Sequence, residues 1–212
     1  MDVIAEGEYP VILSKRFEEA LIFAVQIHRE QKRKGSDTPY VSHLLGAASI
    51  ALKYGASEDE AIAALLHDAI EDQGGAKMGE QIRKRFGNSV RDIVNGCTDS
   101  DVNPKPPWRK RKEDYIAHLQ DASSSVLFVS ASDKLQNARS ILEDYHVIGD
   151  DLWKRFTGKK DGTLWYYQSL VGAFRNAISS HEKPDQRIAL IVDELERVVT
   201  EINHLVLEND KS

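Results

Sequence analysis

The stretch AIAALLHDAIED at residues 61–72 carries the densest set of reactive side chains in the sequence. At about 100° per residue, a helix sorts it into two faces. Ile62, Leu65, Leu66, Ala69 and Ile70 fill one, and His67, Asp68, Glu71 and Asp72 the other. A solvated face is the ordinary reading of four polar positions on an amphipathic helix. Here, three carboxylates and an imidazole stand together with no Lys or Arg inside the segment, and such a cluster repels itself unless a cation sits among it. The adjacent His67-Asp68 pair offers one nitrogen and one oxygen ligand from a single turn. Further ligands must come from other helices: His43 follows TPYVS upstream, and Asp133 follows the apolar run VLFVSAS. Alone, His43 reads as an ordinary core or surface histidine. A carboxylate entering a largely buried helix needs a partner, and a metal would be one. Two imidazoles and two carboxylates suit Mn²⁺, Zn²⁺ or Fe²⁺ better than Ca²⁺, and such an ion makes water a nucleophile near neutral pH.

The elements that must position these groups are helices. Apolar residues recur at helical spacing almost throughout, and strand-like alternation is nearly absent. The pattern predicts an all-α fold of about ten helices, at about 14–34, 40–54, 57–72, 78–86, 88–97, 108–121, 124–146, 150–156, 162–181 and 185–208. Ser57 with Glu60 forms a capping-box signal for the third, and Gly74-Gly75 ends it. Gly35, Pro39, Gly55 and Gly87 punctuate other boundaries. VLFVSA at 126–131 passes for a strand on its own. Leu135, Ala138 and Leu142, however, continue the stripe of Phe128 and Ala131 at spacings of three and four, which favours a buried helix. No repeat or change of composition divides the 212 residues, so one domain over 1–212 is the simpler organisation.

HDAIED with upstream His43 and downstream DKLQN resembles the HD phosphohydrolase signature. More narrowly, the chain resembles the (p)ppGpp hydrolase domain of RelA/SpoT homologues and the small alarmone hydrolases, through QKRKGSDTPYVSH, GNSVRDIVNGCTD and ASDKLQNAR. The likeness runs from about Phe17 to Tyr167, within a motif-bearing part of about 14–170, and leaves the helices of about 171–208 as scaffold or a surface for self-association in a homo-oligomer. It implies that His43, His67, Asp68 and Asp133 hold one Mn²⁺, and that Glu71 and Asp72 activate the nucleophile and transfer protons. The implied reaction cuts the ester between a ribose 3′ oxygen and a pyrophosphate, releasing GDP or GTP.

For the nucleotide, the resemblance implies base packing by Arg33 and Lys34, an aromatic at Tyr40, a phosphate contact at Lys105, a ribose contact at Asn137 and a late contact at Tyr166. Arg33 and Lys34 would otherwise read as a charged helix end. An arginine that small family members place one turn before the late tyrosine falls on Gly162, with Lys159 or Lys160 as substitutes. His28, His118, His146, His181 and His204 match no motif.

Composition limits the alternatives. A net charge of −6 leaves nucleic-acid binding only the short run Trp108 to Lys112, which reads more simply as a solvated helix start. The acidic N-terminus MDVIAEGEYP and the lack of a long apolar run predict no signal peptide and no membrane span, hence a cytoplasmic protein. Cys97, the single cysteine, reads as a small buried apolar residue. Two other functions stand beside hydrolysis of (p)ppGpp: the same chemistry on (p)ppApp or the 2′-phosphate of NADPH, since arginine stacking does not distinguish guanine from adenine, and a non-catalytic nucleotide sensor. The sensor is disfavoured because all four inferred ligands and both reactive carboxylates are present.

Overall fold

A computed structural model describes residues 13–100, 104–180 and 184–210. MDVIAEGEYP and His181 lie outside them. Among the described residues there are ten α-helices: α1 (Lys15–Ile27), α2 (Val41–Lys53), α3 (Glu58–Leu66), α4 (Ala69–Gln73), α5 (Ala76–Phe86), α6 (Asn88–Cys97), α7 (Trp108–His118), α8 (Ser124–Ile148), α9 (Lys159–Ser180) and α10 (Gln186–Asn209). Short 3₁₀ helices cover Leu119–Asp121 and Gly149–Arg155. The only extended pairing among the described residues is an isolated bridge between Lys32 and Pro39, so the chain is all-α.

The axis of the molecule is α8, whose stretch from Val126 to Asp133 is buried throughout. It packs against α2, α3, α6 and α10, and this is why an apolar run with β-forming residues settles as helix. Helix α3 is enclosed as well: Ala61 to Leu66 are all inaccessible, and its start is fixed by the Ser57–Glu60 capping box. Glu60 does more than cap, since its carboxylate accepts from Ser125 Oγ of α8 at 2.9 Å and from Arg187 Nη1 of α10 at 3.0 Å. One buried acid thereby ties three helices together.

The expected helices differ from those observed in three main places. The segment 57–72 is divided at His67-Asp68 into α3 and α4. Asp68 has φ −94° and ψ −2°, away from regular helix geometry. The His67 ring also bonds the Ala64 carbonyl at 2.8 Å, the acceptor an unbroken helix offers to the Asp68 amide. The first helix stops at Ile27 instead of Lys34. Residues 31–40 form a narrow loop closed by Arg33 N to Thr38 O at 2.8 Å and Tyr40 N to Gln31 O at 2.9 Å. Gly35 turns it, at φ +74°, where a side chain is strained. Where an α-helix is expected at 150–156, Gly149–Arg155 forms a 3₁₀ helix.

Candidate functional site

Four side chains from α2, the α3–α4 break and α8 converge. His43 Nε2 lies 3.1 Å from His67 Nε2, 3.2 Å from Asp133 Oδ1 and 3.4 Å from Asp68 Oδ2. His67 Nε2 lies 3.0 Å from Asp68 Oδ2 and 3.3 Å from Asp133 Oδ1. Ligand atoms of His43, His67 and Asp133 all fall within 4.8 Å of one another, and all three residues are buried. The division of the helix contributes to this arrangement, because it lets consecutive residues 67 and 68 face one point.

The donor set fits a divalent cation. His67 Nδ1 donates to Ala64 O, so in the neutral ring Nε2 presents its lone pair to the same place as the two carboxylate oxygens. Without a cation these groups lean on a proton. Burial pulls the His67 pKa down, but Asp68 and Asp133 outweigh it and hold it well above the usual histidine range. Burial pushes both carboxyls up, yet the two imidazoles facing Asp68, and Lys134 with the imidazoles facing Asp133, keep them well below the usual carboxylate range.

A second layer of partners fixes the ligands. Tyr40 Oη donates to Asp68 Oδ2 at 2.6 Å, and Asn137 Nδ2 donates to Asp133 Oδ1 at 2.6 Å. Lys134 Nζ reaches Asp133 Oδ2 at 2.5 Å and lies 4.9 Å from the Tyr115 ring centroid. Sequence reasoning missed Lys134; the available signal was a lysine directly after a carboxylate in an otherwise buried run. Glu71 and Asp72 follow on α4, Glu71 accepting from Lys105 Nζ at 2.7 Å and Asp72 from Gln31 Nε2 at 2.8 Å.

A cleft of about 470 Å³ opens from His43 and is lined by Arg33, Lys34, Asn137, Asp144, Arg155 and Tyr167, among others. Arg33 Nη2 donates to Asn137 Oδ1 at 2.8 Å, and its guanidinium lies 5.7 Å from the Tyr40 ring centroid. Arg33, Lys34 and Asn137 thus line one cleft, the first two from the 31–40 loop instead of a helix end and Asn137 from α8.

Tyr166 is placed differently. Its ring sits in an aromatic cluster with Trp108, Trp165 and Tyr167, its hydroxyl is buried without a partner, and it is Tyr167 that lines the cleft. At Gly162 a Cβ would meet the Trp108 ring at 3.2 Å, so the indole takes the room a longer side chain would need. Lys160 is tied to Asp150 and Asp210 at 3.3 and 2.5 Å, and neither it nor Lys159 lines the cleft. Arg155 does: its stem crosses Gly35, where a Cβ would lie 2.4 Å from Arg155 Cγ, and its Nη1 donates to Asp144 at 2.7 Å. Nothing in the run DLWKRF signalled this position.

Comparisons with known proteins give the family. A family model described as HD domain matches residues 20–163. The guanosine-3′,5′-bis(diphosphate) 3′-pyrophosphohydrolase MESH1 of Xenopus tropicalis is 39% identical over 126 residues, which are 58% of this chain and 68% of that protein. MESH1 of Homo sapiens is 34% identical over the same shares. A solved structure of a metazoan ortholog of SpoT that hydrolyzes ppGpp superposes with a TM-score of 0.68 at 27% identity, covering 90% of this chain and 97% of that one.

Proposed function

This chain belongs to the HD domain family, and from that premise we propose that it is a metal-dependent guanosine-3′,5′-bis(diphosphate) 3′-pyrophosphohydrolase. One observation carries the reading: His43, His67, Asp68 and Asp133 converge, and His43 also lines a cleft whose other walls hold Arg33, Lys34 and Asn137. That combination suits a ligand with a phosphoanhydride at one end and a flat base at the other. The relatives' activity supports the same substrate.

Mn²⁺ is the ion we assign to the four ligands, with Zn²⁺ and Fe²⁺ as alternatives, since the mixed nitrogen and oxygen set accepts all three. A divalent cation held there supplies Lewis acidity toward the phosphoryl oxygens and lowers the pKa of water. The chain's own groups do the rest. Glu71 and Asp72 take the proton of the attacking water as it bonds to phosphorus. The bond from phosphorus to the ribose 3′ oxygen breaks, and that oxygen leaves with a proton returned from one of the carboxyls. Lys105, beside Glu71, is suited to the departing pyrophosphate. Arg33 packs on the base, where a planar guanidinium stacks well. Asn137 bonds the ribose, and Arg155 receives the 5′-phosphates in place of Asp144. Among the described residues no helix is long and apolar enough to cross a membrane, and we place the enzyme in the cytoplasm.

A substrate panel tests the assignment. With Mn²⁺, kcat/KM for ppGpp should exceed that for ppApp and for NADPH; a higher value for either would move the function to that nucleotide while leaving the metal chemistry intact.

A further inference from the structure

His28, which no sequence motif explains, is 2% exposed at the end of α1 and stacks on the Tyr40 ring at 5.3 Å. Its Nδ1 lies 2.7 Å from Gln31 Oε1. That oxygen also accepts from Gln73 Nε2 at 2.7 Å, while Gln31 Nε2 donates to Asp72 Oδ2 at 2.8 Å. One proton arrangement satisfies all three contacts: His28 carries its proton on Nδ1, the Gln31 carbonyl turns inward, and the Gln31 NH₂ turns to Asp72. The flipped amide would set its oxygen against the carboxylate and its NH₂ against that of Gln73. The 3.3 Å approach of Gln73 Nε2 to His28 Nδ1 is then contact between two donors sharing one acceptor. Burial pulls the His28 pKa down, so the ring is neutral.

His28 Nε2 has no partner in its buried setting. An unsatisfied buried nitrogen costs free energy that an apolar side chain would avoid. What the imidazole contributes in return is the Nδ1 hydrogen on Gln31. Asp72 itself is exposed, on the five-residue α4, where an unheld carboxylate would turn freely.

From this chain of donors we infer that Gln31 is a positioning residue: oriented by His28 and Gln73, it holds Asp72 by Oδ2 and leaves Oδ1 as the oxygen for proton transfer. The inference rests on the reading of Asp72 as a reactive carboxylate.

Its test is ppGpp hydrolysis with Mn²⁺ by Gln31→Met, His28→Leu, His28→Asn and Asp72→Asn, with metal content and Tm measured alongside. Gln31→Met keeps the length and removes the donor; it should lower kcat roughly 10- to 100-fold while KM and bound Mn²⁺ stay within about twofold of wild type. His28→Leu should lower kcat in the same way, and His28→Asn should restore it, because the asparagine amide can stand in for Nδ1–H. If the His28 variants do not fold, Gln31→Met decides alone. Wild-type kcat in Gln31→Met beside an impaired Asp72→Asn would overturn the inference and leave the role of Asp72 standing, as would a loss carried by KM or by metal content. Wild-type kcat in Asp72→Asn would instead remove the reading of Asp72 on which the inference rests.

Discussion

At the scale of single residues, the site is two carboxylates and two imidazoles competing for positive charge. In the metal-free protein the proton on His67 is held by Asp68 and Asp133, against the pull of burial, and its pKa is raised. A folded-state pKa above the unfolded one means that protonated His67 contributes stability in full below the unfolded value and loses it as pH rises through the folded one. A cation in that place removes the dependence. The rise in Tm on adding Mn²⁺ should therefore be larger at about pH 8.5 than at about pH 6. An equal or smaller rise at the higher pH would show that the metal does not displace this proton. In the cleft, Arg155 donates to Asp144, and the proposed binding mode exchanges that carboxylate for a phosphate. Arg155→Ala should raise KM for ppGpp on the order of tenfold with kcat nearly unchanged; an unchanged KM would take Arg155 out of the binding site.

Not all of these residues were legible in the sequence. His67 and Asp68 stood out because four ionisable groups shared one face of a short segment. His43 and Asp133 are ordinary when read singly and read as ligands only through resemblance to a family. Lys134 and Arg155 were invisible for physical reasons: their roles depend on what faces them, Asp133 and Tyr115 in one case and Gly35 and Asp144 in the other. Periodicity carries no record of such partners.

At the scale of elements, periodicity recovered the scaffold and failed where the site departs from regular structure. The α8 stripe, the Ser57 cap and the glycine breaks are all present, because burial and capping are local in sequence. The α3–α4 break and residues 31–34 of the loop fall inside expected helices, since their residues are compatible with helix and neither the His67 ring bond nor the Lys32–Pro39 pairing can be read from periodicity. Close packing onto α8 holds the frame. A Cβ on Gly96 of α6 would lie 2.6 Å from Val126 Cγ2 and 2.9 Å from Cγ1, and a β-branched side chain has few rotamers with which to yield. Gly96→Ala should destabilise the fold by about 1–3 kcal/mol in chemical unfolding. A variant as stable as wild type would mean that α6 can move off α8 without cost.

At the scale of the whole molecule, charge decides which partners are open to the protein. The run from Arg109 to Lys112 is basic in sequence, but in the fold each member has a carboxylate partner: Arg109 pairs with Glu113 at 2.7 Å, Lys110 with Asp114, and Arg111 and Lys112 share Asp99. With a net charge of −6 behind it, this stretch offers phosphate backbones little free positive charge. No shift in the mobility of DNA or RNA is expected at physiological salt, and a salt-sensitive complex would contradict that. The C-terminal helix α10 lays Val192, Leu195, Val199 and Ile202 into the core and packs along α8, so the segment beyond the family motifs braces the helix that carries Asp133.

The measurement that bears most directly on the account is pyrophosphate release from ppGpp by the Mn²⁺-loaded protein, with Asp68→Ala run beside it. Wild type should convert ppGpp to GDP and pyrophosphate, and Asp68→Ala should lose both bound metal and activity. Intact ppGpp after long incubation with the metal-loaded wild type, or undiminished activity and metal in Asp68→Ala, would contradict it.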